Sequence, residues 1–215
     1  GYVTPGAPAD EERDGKKFFY LYLWVPAVAP EIGVRMFSPV ADLAKPMEGD
    51  IVAADYEAGI AADAKAFFDT WISFERALEV LSVDDVLTKG QNANEWVRYD
   101  MNDDSSEMPK NPAGRTYNSL MRSTSKVNDP LKAIVMGLYR IGFTTYKVGE
   151  VQGSFYAEVG APIDLPGTVI AKDLETLVKM VKGEGADAAA DADAAPAADA
   201  APAADGAPAA DAPAN

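Results

Sequence analysis

Between residues 16 and 26 the chain alternates with a period of two. Phe19, Leu21, Leu23 and Val25 occupy the odd positions, and Phe18, Tyr20, Tyr22 and Trp24 the even ones. Such alternation is the mark of a β-strand whose two faces meet different surroundings. The same register returns over residues 138–146 and again over 150–159. In the last of these Val151, Phe155, Ala157 and Val159 face one way, and Glu150, Gln152, Ser154, Tyr156 and Glu158 the other. Further strands are predicted over 31–37, 50–56, 66–76, 95–100 and 115–123, with Pro26 and Pro30 bracketing a bend, because proline is excluded from central ladders. A chain written this way predicts an all-β fold, an antiparallel jelly-roll-type β-sandwich with one wet face per sheet.

The period changes to a helical one over 172–182. Leu174, Leu177, Val178 and Val181 form one stripe, Asp173 stands at the N-cap and Gly183 at the stop. A second, shorter helix is predicted near 82–88, where Ser82 and Asp85 resemble a capping box. From residue 184 onward Asp, Ala and Pro recur in an Ala-Pro-Ala-Ala-Asp repeat, with proline at 196, 202 and 208. Regular prolines prevent a continuous helix and little beyond alanine is there to bury, so 184–215 is expected to be a disordered, extended acidic tail behind a single domain of residues 1–183.

Composition narrows the chemistry. The 215 residues contain no Cys and no His, which removes disulfides, thiol nucleophiles, Cys/His zinc sites and His-dependent triads. The formal charge is −15, of which seven units belong to the acidic residues from Glu184 on, leaving −8 for the body. Both parts repel polyanions, so nucleic acid is not an expected partner. No run of residues approaches the length of a membrane-spanning helix. No signal peptide is read at Gly1, and the opening Tyr2-Val3-Thr4-Pro5-Gly6 reads as a trimmed start.

Two acidic spots stand out. Asp69 lies between Phe67 and Trp71 on one face of a predicted strand, while Phe68, Ile72 and Phe74 share the other; a carboxylate flanked by large aromatic side chains needs a partner. Asp100, Asp103, Asp104 and Glu107 crowd a loop. Such a set suits calcium, a hard ion that takes six to eight oxygens and accepts loop geometry, although Asp, Asn and Ser also cluster in turns for local hydrogen-bonding reasons and the EF-hand spacing is missing. The aromatic face of Tyr20, Tyr22 and Trp24 is open to two readings, a carbohydrate-binding platform or a face covered by a loop or helix. Glu75 with Glu79, or Glu150 with Glu158, could be imagined as a glycosidase pair, but carboxylates on exposed strand faces are ordinary, and the expectation is a protein that is not an enzyme.

Several segments resemble the major surface lipoprotein family of leptospires: Phe19-Tyr-Leu-Tyr-Leu-Trp-Val-Pro-Ala-Val, Gly33-Val-Arg-Met, Phe68-Asp-Thr-Trp-Ile, Tyr117-Asn-Ser-Leu, and the long run from Gly137 to Phe155. They occur in order between residue 1 and about residue 160. The resemblance implies a calcium-binding jelly roll held at the outer membrane, on the cell surface, by a lipidated N-terminal cysteine. It also implies adhesion to extracellular-matrix proteins such as fibronectin, laminin and collagen. Carried over motif by motif, it places the ion between Asp69, Thr70, Asp103, Asp104 and Tyr117. Because adjacent strand residues point to opposite faces, Thr70 is expected to offer its carbonyl, or a bulge to lie there; Tyr117 is expected to offer its carbonyl too. The chain departs from the family in its thinner acidic run, in a shorter connection from Tyr117 to Gly137, and at the C-terminus. There a basic, Ala-rich helix is represented only by its first turns.

Overall fold

A computed structural model describes residues 1–40, 44–90, 95–102, 117–146, 148 and 150–183, with Tyr117 and Asn118 described in their backbone alone. The chain runs β1 (Tyr2–Val3), β2 (Glu11–Arg13), β3 (Lys16–Val25), β4 (Glu31–Ser38), α1 (Tyr56–Asp63), β5 (Thr70–Ala77), α2 (Val83–Lys89), β6 (Trp96–Asn102), β7 (Tyr117–Thr124), β8 (Gly137–Thr145), β9 (Gly153–Ser154), β10 (Tyr156–Gly160), β11 (Val169–Ala171) and α3 (Leu174–Lys182). The larger sheet has the order β11-β3-β8-β5-β6, with β2 paired to β3; the smaller is β10-β4-β7, and β1 pairs with β9. Every pairing between described strands is antiparallel. The chain passes repeatedly from one sheet to the other, as the jelly-roll expectation requires.

The main core lies between the two sheets. Leu23 and Val25 of β3, Ile72 and Phe74 of β5 and Tyr139 and Ile141 of β8 meet Ile32, Val34 and Met36 of β4 and Met121 of β7. Phe74 stacks on Tyr139 with ring centroids 5.1 Å apart, and Tyr99 meets both rings edge-on. Tyr99 reaches them because the β5–β6 register shifts between Phe74 and Glu75, setting Asp100 opposite Phe74 and Arg98 opposite Glu75. The extra residue of the bulge turns into the core.

The outer face of the larger sheet is not wet, contrary to the expectation of one solvated face per sheet. All nine residues of β8 are buried, and the even-numbered aromatics Phe18, Tyr20 and Trp24 are 2%, 4% and 4% exposed. One part of this face is covered by the β2–β3 hairpin. Another is covered by α2 and α3, whose Val86, Leu174, Leu177 and Val178 form a second core with Trp24, Ala77 and Leu138. A β-carbon at Gly142 would stand 2.5 Å from Ser73 Oγ and 2.9 Å from the Tyr20 ring. Glycine there is what lets Tyr20 lie flat on the sheet. With Tyr20 and Trp24 buried and Tyr22 half-buried, the Tyr20/Tyr22/Trp24 face is not the exposed row of coplanar rings that a sugar platform needs.

Both helix expectations hold. Asp173 accepts from Thr176 N at the start of α3, Gly183 ends it at φ 78°, and Ser82 accepts from Asp85 N at the start of α2. Three strand expectations do not. Residues 50–56 form a turn leading into α1 rather than a strand. The ladder of β5 begins at Thr70, so Asp69 precedes the strand instead of lying inside it. The stretch 150–159 is divided at Phe155 between β9 and β10, which belong to different sheets. The expected tail, 184–215, lies outside the described residues.

Candidate functional site

At one end of the sandwich the two sheets are joined by hydroxyl groups. Thr70, the first residue of β5, is fully buried and points across the core to Ser119 of β7. The two hydroxyl oxygens are 2.7 Å apart, and Ser119 Oγ donates to the Thr70 carbonyl at 2.9 Å. Beside them Ser38 Oγ donates to Ser154 O at 2.8 Å and accepts from Phe68 N at 3.1 Å, while Ser154 Oγ accepts from Val40 N at 3.0 Å. Ser38, Ser119 and Ser154 are buried like Thr70. Short side chains are suited to this end because each of the three serine hydroxyls satisfies a backbone group that the sandwich would otherwise bury unpaired.

This network fixes the backbone at Asp69. Its carbonyl accepts from Tyr146 N at 2.9 Å, and its side chain is half-buried. On the outer side Lys16 Nζ lies 3.7 Å from the centre of the Trp71 ring and donates to the carbonyls of Thr145 and Tyr146. The strand β6 ends at Asn102, paired with Ile72, two residues along β5 from Thr70. The next strand, β7, begins at Tyr117, paired with Ser38, and two residues later supplies Ser119. Both ends of the acidic connection therefore open onto the corner where Asp69 and Thr70 sit.

Asp69 and Thr70 are thus brought together with the start of β7, and Tyr117 is placed there by its backbone. Asp103 and Asp104 lie outside the described residues. Among the described residues no three acidic side chains gather as a metal cluster. The potential donor atoms at the corner are oxygens, the Asp69 carboxylate and backbone carbonyls. That chemistry fits a hard divalent cation. Both the Thr70 hydroxyl and the Thr70 carbonyl are engaged with Ser119; a carbonyl oxygen has two lone pairs, so one such bond does not exhaust it.

A second polar cluster, on the outer face of the larger sheet, was not expected from the sequence. Glu75 is fully buried, and the register sets it directly opposite Arg140, which in turn lies opposite Tyr22. Arg140 Nε donates to Glu75 Oε2 at 2.8 Å, and Arg13 Nη2 meets Oε1 at 2.6 Å. Arg140 also pairs with Glu11 at 2.9 Å, and Tyr20 donates its hydroxyl to the same carboxylate at 2.8 Å. The Arg140 guanidinium is held between the rings of Tyr20 and Trp96, at 4.1 and 4.3 Å. Burial alone would raise the Glu75 carboxyl, but hydrogen bonds and charge from Arg13 and Arg140 prevail and hold it below its ordinary range. A carboxylate fixed in its ionised form by two guanidinium groups is a poor proton donor. Glu79 is exposed, Glu150 pairs with Lys17 and Glu158 with Arg35. The imagined glycosidase pairs find no support in these arrangements. The signal for the Glu75 cluster is invisible locally, because its members come from β2, β5 and β8.

Comparison with known proteins gives one family. The model of Lipl32, described as surface lipoprotein of the Spirochaetales order, matches residues 1–170, from the first strand into β11. No curated protein matches the chain.

Proposed function

The chain belongs to the Lipl32 family of surface lipoproteins of the order Spirochaetales, and from that membership we propose that it is a calcium-binding, non-enzymatic protein of the outer-membrane surface. A lipidated cysteine outside the 215 residues would hold it there, and its role would be that of an envelope structural component or an adhesin for extracellular-matrix proteins. Asp69, Asp103 and Asp104 would supply carboxylates to the ion, and Thr70 and Tyr117 backbone carbonyls. The ion would neutralise three like charges that otherwise repel, and so tie the acidic connection to the head of β5.

The observation that carries the calcium reading is the convergence of the two ends of the acidic connection on Thr70. The strand β6 ends at Asn102, paired with Ile72 two residues along β5 from Thr70, and Asp103 and Asp104 follow it in the sequence. The bond from Ser119 to the Thr70 carbonyl holds the other end in place. A site whose ligands come from segments far apart in the chain binds the ion only when those segments are folded together.

The test is titration of calcium chloride into chelator-treated protein by calorimetry. Saturable heat from one site, lost in Asp104→Ala and in Asp69→Asn, is the expected result. Equal heats from wild type and both variants would sink the assignment. Adhesion is tested separately, by binding of the protein to immobilised fibronectin, laminin and collagen with and without chelator.

A further inference from the structure

The inner face of β3 is packed in one half and open in the other. Leu23 and Val25 are completely buried, whereas Phe19 and Leu21, on the same face of the same strand, are only partly covered. Ala157 and Val159 of β10 and Ile170 of β11 point to the same region and are likewise only partly covered. On β10 the outward positions are those of Tyr156 and Glu158, which hydrogen-bond each other, so Ala157 and Val159 face inward. Between these strands lies a cavity of about 710 Å³, roofed by the segment that carries Ile51 and Val52. Its size is that of a small-molecule site, roughly 300–1,000 Å³.

The walls select the ligand. Phe19, Leu21, Phe143, Ala157, Val159 and Ile170 offer no hydrogen bond from their side chains, so the deep part takes hydrocarbon. Lys45 and Lys172 stand exposed at its edge, and among the described residues neither has a salt-bridge partner. Of the carboxylates at the rim Glu158 is ion-paired with Arg35, while Asp10 and Asp50 are turned to the backbone N–H groups of Tyr20 and Met47 and keep their charge; Asp55 lies towards Tyr2 and the Gly1 amine. An apolar cleft with two cations at its mouth is complementary to an aliphatic chain that ends in an acid.

We propose that this cavity binds a long-chain acyl group, the hydrocarbon between β3 and β10 and the carboxylate end at the mouth near Lys45 and Lys172. The site is separate from the Asp69–Thr70 corner and does not depend on calcium. Its ligand could be a free fatty acid or an acyl chain presented by a lipid, and the experiment separates them.

Palmitate, and in a second arm vesicles of dipalmitoylphosphatidylcholine, are titrated against the full chain while displacement of a fluorescent fatty acid is followed. Saturable displacement by palmitate is expected, with hexadecanol weaker. Ala157→Phe, which fills the cavity, should weaken palmitate at least about tenfold. The double variant Lys45→Glu/Lys172→Glu should remove the preference for palmitate over hexadecanol. Because both lysines are exposed, this variant keeps its fold even if Ala157→Phe does not, as thermal melting would show. Displacement by vesicles alone would assign the site to lipid-borne acyl chains. No displacement by either, or wild-type binding in both variants, overturns the proposal.

Discussion

Ser119 donates its hydroxyl to the Thr70 carbonyl at 2.9 Å while the two hydroxyl oxygens stand 2.7 Å apart, both residues fully buried. This pair is the bridge between the sheets at the candidate cation site. Ser119→Ala should leave the Thr70 carbonyl and hydroxyl without that partner and cost about 1–3 kcal/mol. Chemical denaturation measures it, with an unchanged m-value expected. The same variant should bind calcium more weakly, since the carbonyl loses the group that orients it. A variant as stable as wild type would show that the hydroxyl pair is only incidental packing.

Calcium should change stability far more than shape. A ligand bound by the native state alone adds about 4 kcal/mol at a thousandfold excess over Kd, which for a domain of this size raises Tm by roughly 8–16 °C. Chelator should therefore lower the Tm of wild type by several degrees with little change in the far-ultraviolet β signal. Asp104→Ala should start low and respond little. Identical chelator effects on both proteins would reduce the acidic connection to a solvated turn.

The Glu75 cluster makes an acid-dependent contribution. Its carboxyl is depressed by Arg13 and Arg140, so the stability it confers is fully present above the unfolded-state value and is lost as the pH falls through the lower folded-state value. Glu75→Gln leaves the buried Arg140 and the half-buried Arg13 short of a counter-charge, with Glu11 still paired to Arg140, and should cost about 3 kcal/mol near neutrality. Melting of both proteins between neutral pH and strong acid should show the gap between them narrowing below the ordinary glutamate value of 4.5. Glu158 and Asp173 are depressed as well, but they are common to both proteins and cancel in the comparison. A gap that stays constant into acid would mean the loss is one of packing rather than charge.

Truncation after Gly183 should leave Tm and calcium binding as they are. Helix α3 is closed at that glycine, whose N–H is satisfied by the carbonyls of Lys179 and Met180, and the residues beyond it carry no apolar stripe to dock. A drop of several degrees would place part of 184–215 against the sandwich.

Much of the fold was legible because its signals are local. The alternation of β3 and β8, the stripe and caps of α3 and the cap of α2 are written within a few residues of each element, and each formed where it was expected. The missed helix α1 has no such signal: its residues Tyr56–Asp63 are mostly alanine, glycine and acid, and the apolar pair Ile51–Val52 before it resembles a strand. The alternation of its neighbours puts Asp69 inside a strand when the sequence is read alone. The side-chain pattern in fact runs one step beyond the ladder, since Phe68 already packs in the core before the hydrogen-bonded pairing begins.

By itself, then, the sequence determined the β character, the antiparallel sandwich and the C-terminal helix. Those follow from periodicity, capping and side-chain chemistry, which act over a turn or a strand. Only the tertiary structure decided that the second face of β3 is dry, that Glu75 meets arginines from β2 and β8, and that Thr70 finds Ser119 across the core. It also decided that the inner face of the sandwich is left unfilled beside Phe19 and Leu21. Each of these depends on sheet order and register between segments far apart in the chain, and alternation tells a strand which residues share a face without telling it what that face will meet.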